Sequence, residues 1–321
     1  MTRIICGVDV GSNSLAARIG RQGAQASFAN HPEGIAELAA FCHHHQVDVV
    51  AMEATGGYEQ PPFTLLTSHG LKVAILNPRA VRRFAEAMGH LEKTDAIDAG
   101  LIALFAETKR VSATCWLPAA QQHLRALVTR LRQLTQMRTA QRNQRRLVSD
   151  AVVLGSIDQL LALLDEQMRT LQTDIARIIA ADPLWHQLDR AFRTIKGVAD
   201  RTVARLMAEL PEIGTLSHKA ISKLAGVAPL ARDSGKHQGK RAVRGGRASV
   251  REILFIVASV AGRYEPDLQV FQQRLSAAGK PPKVVRIALA HKLLVRLNAK
   301  AREIRQLSTL AAAPVEACLG S

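Results

Sequence analysis

The spacing of apolar and polar positions changes along the chain, and the change divides it. Ile4-Ile5-Cys6-Gly7-Val8-Asp9-Val10 is an apolar run of strand length, and Val47-Asp48-Val49-Val50-Ala51-Met52-Glu53 is another. Leu15 to Ile19 and Gln25 to Phe28 read as two short strands, with Gly11-Ser12-Asn13-Ser14 as the hairpin turn. Pro32 opens a helix that carries Ile35, Leu38, Ala39 and Phe41 and ends near His43-His44-His45. Three histidines at a helix end fit the helix dipole, and that outweighs a metal site there. Ala54 to Tyr58 is a turn. Phe63, Leu65 and Leu66 mark a helix stopped by Gly70, and Lys72 to Leu76 is a further strand ended by Asn77-Pro78. Three consecutive strands, then helix and strand in alternation, predict a mixed α/β sheet over residues 1–110.

From Pro118 the period becomes helical. Leu124, Leu127, Leu131 and Leu134 alternate by threes and fours, which predicts one long helix to about Val153. Gly155-Ser156 is the expected break. A second helix from Asp158 to Ala180 carries Leu160, Leu164, Met168, Leu171, Ile175 and Ile178, so 111–182 reads as a helical coiled-coil arm. Asp182-Pro183 is the expected boundary, and 183–321 reads as all helical. Within it, Ile195-Lys196-Gly197-Val198-Ala199-Asp200 followed by Thr202 to Leu206 reads as a helix-hairpin-helix-like element. Free N–H groups at such a hairpin can hold a DNA phosphate, and Lys196 flanks it. Ser249 is the expected cap of a helix from Val250 to Ala261.

Charge narrows the partner. A chain of 321 residues with 47% hydrophobic content can bury about two cores, yet its formal net charge is +16. That excess implies a polyanion, most often nucleic acid. Aromatics at 4% argue against extensive base stacking. The basic residues cluster: no Asp or Glu falls between Glu107 and Asp150, a stretch holding Arg138, Arg142, Arg145 and Arg146. A solvated coiled coil mixes signs, so this run predicts backbone contact. A second acid-free stretch runs from Ser234 to Glu252 and holds Lys236, Lys240, Arg241, Arg244 and Arg247 among glycines. Arg79, Arg82 and Arg83 form a third, smaller group after the fifth expected strand, Lys72 to Leu76. The four scattered cysteines read as reduced thiols of a cytoplasmic protein, and no apolar run reaches the roughly 18 residues of a membrane span.

The acids carry the chemistry. Asp9 and Glu53 stand near the carboxyl ends of their strands, where an open sheet places its functional crevice. In Lys93-Thr94-Asp95-Ala96-Ile97-Asp98-Ala99, Thr94 can cap a helix on which Asp95 and Asp98 lie three apart, on one side. Four carboxylates converging on one site would suit Mg²⁺ or Mn²⁺. Two such ions roughly 4 Å apart are a standard device for phosphodiester chemistry.

Gly7-Val8-Asp9, Glu53-Ala54-Thr55-Gly56-Gly57-Tyr58 and Lys93 to Ala99 together resemble the motifs of the DEDD-type insertion-sequence transposases, which include pilin-gene invertases and bridge-RNA-guided recombinases. The resemblance continues at Ala225-Gly226-Val227-Ala228-Pro229 leading to Asp233-Ser234-Gly235. It implies a RuvC-like (RNase H-like) domain binding metal at Asp9, Glu53, Asp95 and Asp98. It also implies a C-terminal domain whose Ser234 attacks a DNA phosphate covalently, and an active site composed from both halves. Its further implications are donor and target double-stranded DNA, a structured guide RNA and a homo-oligomer, dimer or tetramer, held by the arm. The residues alone leave two other readings. One is a metal-dependent nuclease or Holliday-junction resolvase in which Ser234 is structural. The other is a nucleic-acid-binding protein with a vestigial site.

Overall fold

The computed structural model describes residues 3–89, 95–114, 117–231, 233, 239 and 241–312. Contacts divide the chain into two units, Met1–Trp116 and Leu117–Ser321.

In the first unit the apolar runs become strands: β1 (Ile5–Val10), β2 (Ser14–Ile19), β3 (Gln25–Ala29), β4 (Val49–Glu53) and β5 (Val73–Leu76). They form one sheet in the order β3-β2-β1-β4-β5, with β1, β2 and β3 antiparallel and β4 and β5 parallel to β1. This mixed order fits the RNase H-like domain expected. Four helices join the strands: α1 (Pro32–His44), α2 (Gln60–Ser68), α3 (Pro78–Ala87) and α4 (Asp95–Thr108).

The two-residue period of a strand sorts the core into two layers. Cys6, Val8 and Val10 of β1 lie with Ile35, Leu38, Phe63 and Leu66, under α1 and α2. Ile5, Val49, Ala51 and Leu76 lie with Val81, Ile102, Ala103 and Phe105, under α3 and α4. Asp9 and Glu53, two residues on from Gly7 and Ala51, belong by parity to the α3/α4 face.

The second unit is built around a hairpin of α5 (Ala119–Arg145) and α6 (Ala151–Ala181). Leu124, Val128, Leu131 and Leu134 are buried in one core with Leu164, Met168, Ile175 and Ile179. The turn between the helices is earlier than the sequence suggested. It lies at 146–150, and α6 runs unbroken through Gly155-Ser156. The cause is Asp150, whose carboxylate accepts the N–H groups of Val152 and Val153 at 2.9 and 3.0 Å. Such a cap offsets the roughly 1 kcal/mol that an interior glycine costs a helix.

Six helices follow: α7 (Pro183–Arg193), α8 (Asp200–Glu209), α9 (His218–Leu224), α10 (Ala248–Tyr264), α11 (Pro266–Ala277) and α12 (Pro282–Ala312). Their core is continuous with that of the α5/α6 hairpin, from Leu124 to Ala301. Asp182 caps α7 through the Trp185 N–H at 2.8 Å, but it marks a bend within this unit. The unit is not purely helical, because β6 (Pro229–Leu230) pairs with β7 (Ala242–Val243). Helix α10 starts at Ala248 with Arg247 at its cap position, so Ser249 lies inside the first turn and caps nothing. Among the described residues no helix is long and apolar enough to cross a membrane.

Candidate active site

The last parallel pair of β1 and β4 is Val8–Met52, so Asp9 and Glu53 stand side by side one step further on. Helix α4 reaches them because of Gly7. A methyl group on Gly7 would collide with the Ala99 carbonyl oxygen and come within 2.6 Å of the Ala103 amide nitrogen. Backbone therefore packs directly on backbone, and Asp98, the residue before Ala99, comes down beside the strand end. Asp9, Glu53 and Asp98 line one cleft of about 490 Å³ together with Ser14, Thr55 and Arg82. All three carboxylates are half-buried. Asp95 opens α4, three residues before Asp98; its side chain lies outside the described residues.

The Thr55 side of the cleft is held from behind. The turn after Glu53 runs through Gly56 and Gly57, both in the left-handed region at φ 81° and 135°. Glu59, buried, accepts the N–H groups of Thr55 and Gly57 at 3.0 and 2.8 Å and the Thr55 hydroxyl at 3.2 Å. Burial pushes the Glu59 carboxyl up, but the backbone N–H groups around it and the Gln60 amide outweigh that and hold it below the usual glutamate value.

The donor set fits a hard divalent cation: carboxylate and hydroxyl oxygens line one cleft, with no thiol or imidazole among its described residues. Among the described residues no trio of His, Cys, Asp or Glu forms a metal-binding group by itself. The set expected from the sequence includes Asp95, whose side chain is not among them.

In the second unit, described residues flanking the basic stretch pack closely. Gly226 and Gly246 pack so closely that a methyl on either would strike the other's turn. Arg251 donates to the Gly245 carbonyl at 2.7 Å, and the Arg247 N–H donates to the Leu224 carbonyl at 2.8 Å. Ser234, Lys236 and Lys240 lie outside the described residues. Arg241 and Arg244 are exposed beside β7. Arg247 is engaged internally, by a bidentate pair with Glu212 at 2.5 and 2.6 Å. Burial raises the Glu212 carboxyl, but the Arg247 hydrogen bond, a backbone N–H and the charges of Arg247 and Arg125 together outweigh that and hold it below the usual glutamate value.

On the hairpin, Arg138 pairs with Asp165 at 2.5 Å and Arg145 clasps Asp158 at 2.6 and 3.0 Å, both acids lying on α6. Arg142 and Arg146 are exposed. Lys196 is exposed too, but its N–H donates to Glu265 at 2.6 Å, so that hairpin amide is already bound.

Comparison with known proteins decides the family. A DEDD IS110-type transposase model matches residues 6–151, and a model of the "Transposase IS116/IS110/IS902 family" matches residues 189–273. The chain belongs to the IS110 family of transposases. The "Pilin gene-inverting protein" of Moraxella bovis is 28% identical over 95% of this chain and 98% of its own length. Its counterpart in Moraxella lacunata is 27% identical over the same shares. An uncharacterized 43.6 kDa protein of insertion element IS110 from Streptomyces coelicolor is 27% identical over 47% of this chain and 37% of its own. A solved structure of RuvC from Thermus thermophilus matches 34% of this chain and 98% of its own at 16% identity, with a TM-score of 0.25. This IS110 transposase is therefore a DNA-recombining enzyme that binds DNA. Family membership also implies dependence on a divalent metal.

In the transposase, three of the acids singled out in the sequence, Asp9, Glu53 and Asp98, line one cleft, and the devices that place them there were not read from the sequence. Gly7 was legible as part of a strand and of the Gly7-Val8-Asp9 motif, but not as the contact on which α4 docks. Glu59 carries no motif signal, because its partners are backbone N–H groups.

Proposed function

We propose that this transposase cuts and rejoins donor and target DNA through a covalent serine link. The observation that carries the reading is the single cleft shared by Asp9, Glu53 and Asp98, formed where α4 docks at Gly7. These residues and Asp95 would hold Mg²⁺ or Mn²⁺. When bound, such ions neutralise charge on the phosphoryl oxygens and at the attacking and leaving oxygens.

The chain's own residues do the rest. The Ser234 oxygen attacks the phosphorus, a P–O bond to serine forms, and the bond from phosphorus to one bridging sugar oxygen breaks. The serine proton leaves to a base, and the departing sugar oxygen takes up a proton. A hydroxyl from another strand end then attacks, the new phosphodiester forms and serine is released, so no external energy source is required. Lys236, Lys240, Arg241 and Arg244 stabilise the phosphoryl charge and hold backbone. Arg142 and Arg146 extend that contact along the hairpin. A structured RNA that pairs with both DNAs would supply sequence choice, which suits contacts made mostly to phosphate. The α5/α6 hairpin is the dimerisation element of a cytoplasmic dimer or tetramer.

The test is a denaturing gel of labelled DNA after incubation with each variant, with and without protease. Wild type yields a protease-sensitive shifted band. Ser234→Ala yields none yet still binds DNA. Asp9→Asn also yields none, with activity down by a factor on the order of 10³ or more. Cleavage by Ser234→Ala at the wild-type rate would overturn the serine link in favour of a water-activating nuclease.

A further inference from the structure

Among the described residues that line the cleft, one is a cation. Arg82 of α3 lines the same cleft as Asp9, Glu53 and Asp98. Its neighbours Val81 and Ala85 are buried, line the cleft too and fix the helix against the sheet, so the root of the Arg82 side chain is held. Its guanidinium is exposed. It meets Glu86, one turn along α3, with Nε 3.3 Å from Oε1; the two side chains are 49% and 50% exposed. Arg79 and Arg83 are exposed on the same helix.

Three carboxylates at one mouth repel a phosphodiester before any metal is bound. A cation lining the same mouth offsets this repulsion, and a guanidinium fork matches two phosphate oxygens at once. The present partner is weak. An exposed i,i+4 pair of this kind contributes very little. Contrast Arg247, whose two short bonds to Glu212 leave it committed. Arg82 is held lightly, by one long contact to a carboxylate that presents the same charge and geometry as a phosphate edge.

We propose that Arg82 is a substrate-binding residue of the active cleft, gripping the DNA phosphate that enters beside Asp9, Glu53 and Asp98. Glu86 is its internal competitor, occupying the guanidinium until phosphate displaces it. The inference rests on the proposed DNA-cutting role of the cleft. It adds a phosphate-binding group on α3 and a carboxylate that opposes binding. No atom is transferred between them; one ion pair is exchanged for another.

The two roles predict opposite signs, which a plain helix-stabilising pair does not. The experiment uses the full chain with the RNA that co-purifies with it, a labelled DNA duplex bearing the element's own end, and two readouts. The first is duplex affinity in EDTA; the second is kcat and KM for cleavage in Mg²⁺. Arg82→Gln should weaken binding several-fold and lower kcat/KM by roughly tenfold to a hundredfold. Arg82→Lys should recover part of the binding and less of kcat, since an ammonium lacks the fork. Glu86→Gln should tighten binding and lower KM by about twofold to fivefold, and should do nothing when Arg82 is already Gln. Thermal melts of each variant confirm that the fold is intact. Equal effects of Arg82→Gln and Glu86→Gln in the same direction, or none in either readout, overturn the assignment. Asp9→Asn run alongside separates the failures. If Asp9→Asn abolishes cleavage and Arg82→Gln changes nothing, the cleft is the active site and Arg82 is not part of it. If Asp9→Asn cleaves normally, the cleft reading itself falls.

Discussion

The two units hold their charges in opposite ways. In Met1–Trp116, three carboxylates gather at one cleft, and the arginine among them is lightly held. In Leu117–Ser321, many of the arginines that make the chain basic are engaged within the protein. Arg138, Arg145 and Arg247 hold carboxylates, while Arg302 and Arg305 of α12 donate to the carbonyls of Leu216, Ile213 and Pro211 at 2.6 to 3.0 Å. A formal charge of +16 counts committed and available cations alike. What a polyanion meets is the available set, and in the second unit that set includes Arg142, Arg146, Arg241 and Arg244.

The strongest way to break this contrast is at Gly7. Gly7→Ala puts a methyl into the α4 backbone, and the helix must move with Asp98 on it. The expected result is a loss of about 1–3 kcal/mol in stability, measured by urea unfolding, and loss of DNA cleavage in protein that remains folded. Wild-type cleavage by this variant would mean that the cleft does not depend on the docking of α4.

A middle-sized effect separates the two classes of arginine. Arg247→Gln leaves Glu212 half-buried without its partner, so stability should fall by about 1–3 kcal/mol while the slope of log affinity against log salt stays put. Arg142→Gln with Arg146→Gln should leave the melting temperature alone and flatten that slope by about 2. Exchanged outcomes would show that the internal pairs, not the exposed arginines, meet nucleic acid.

The smallest effect concerns pH. The Glu59 carboxyl sits below its usual value in the folded protein, so the stability it contributes is fully present above about pH 4.3, the unfolded value. It is lost as pH falls through the lower folded value. The acid limb of the melting curve should be shallower in Glu59→Gln than in wild type. An unchanged limb would mean that the turn bearing Thr55 holds itself.

Much of the first unit could be read from the chain, because strands announce themselves locally: β1, β4 and β5 follow apolar runs bounded by turn residues, and β2 and β3 are shorter, more mixed runs that follow the Gly11-Ser12-Asn13-Ser14 turn. The strand-end positions of Asp9 and Glu53 were legible too, since an apolar run marks where a strand ends; that Asp98 lines the same cleft depends on the docking of α4 at Gly7, a contact distant in sequence. What escaped depends on contacts distant in sequence or on competition between local signals. Gly155-Ser156 resembles a break, yet the Asp150 cap sets the turn earlier. Ser249 resembles a cap, yet α10 begins one residue before it. The one-signed run on α5 looked wholly available, because the acids that answer Arg138 and Arg145 sit on another helix. Arg247 met its partner 35 residues away.

If the cleft holds a metal as proposed, the contact at Gly7 has a consequence for which ion it would accept. Side-chain packing can repack around a larger guest, but backbone against backbone has no rotamers to change. Asp98 is thus carried on a stiff wall that lines the same cleft as Asp9 and Glu53, and with a metal bound as proposed the opening would act as a gauge of ionic radius. A small ion that demands close, regular oxygen distances suits such a gauge; Ca²⁺, with its longer and looser shell, would sit there only by prising helix from sheet.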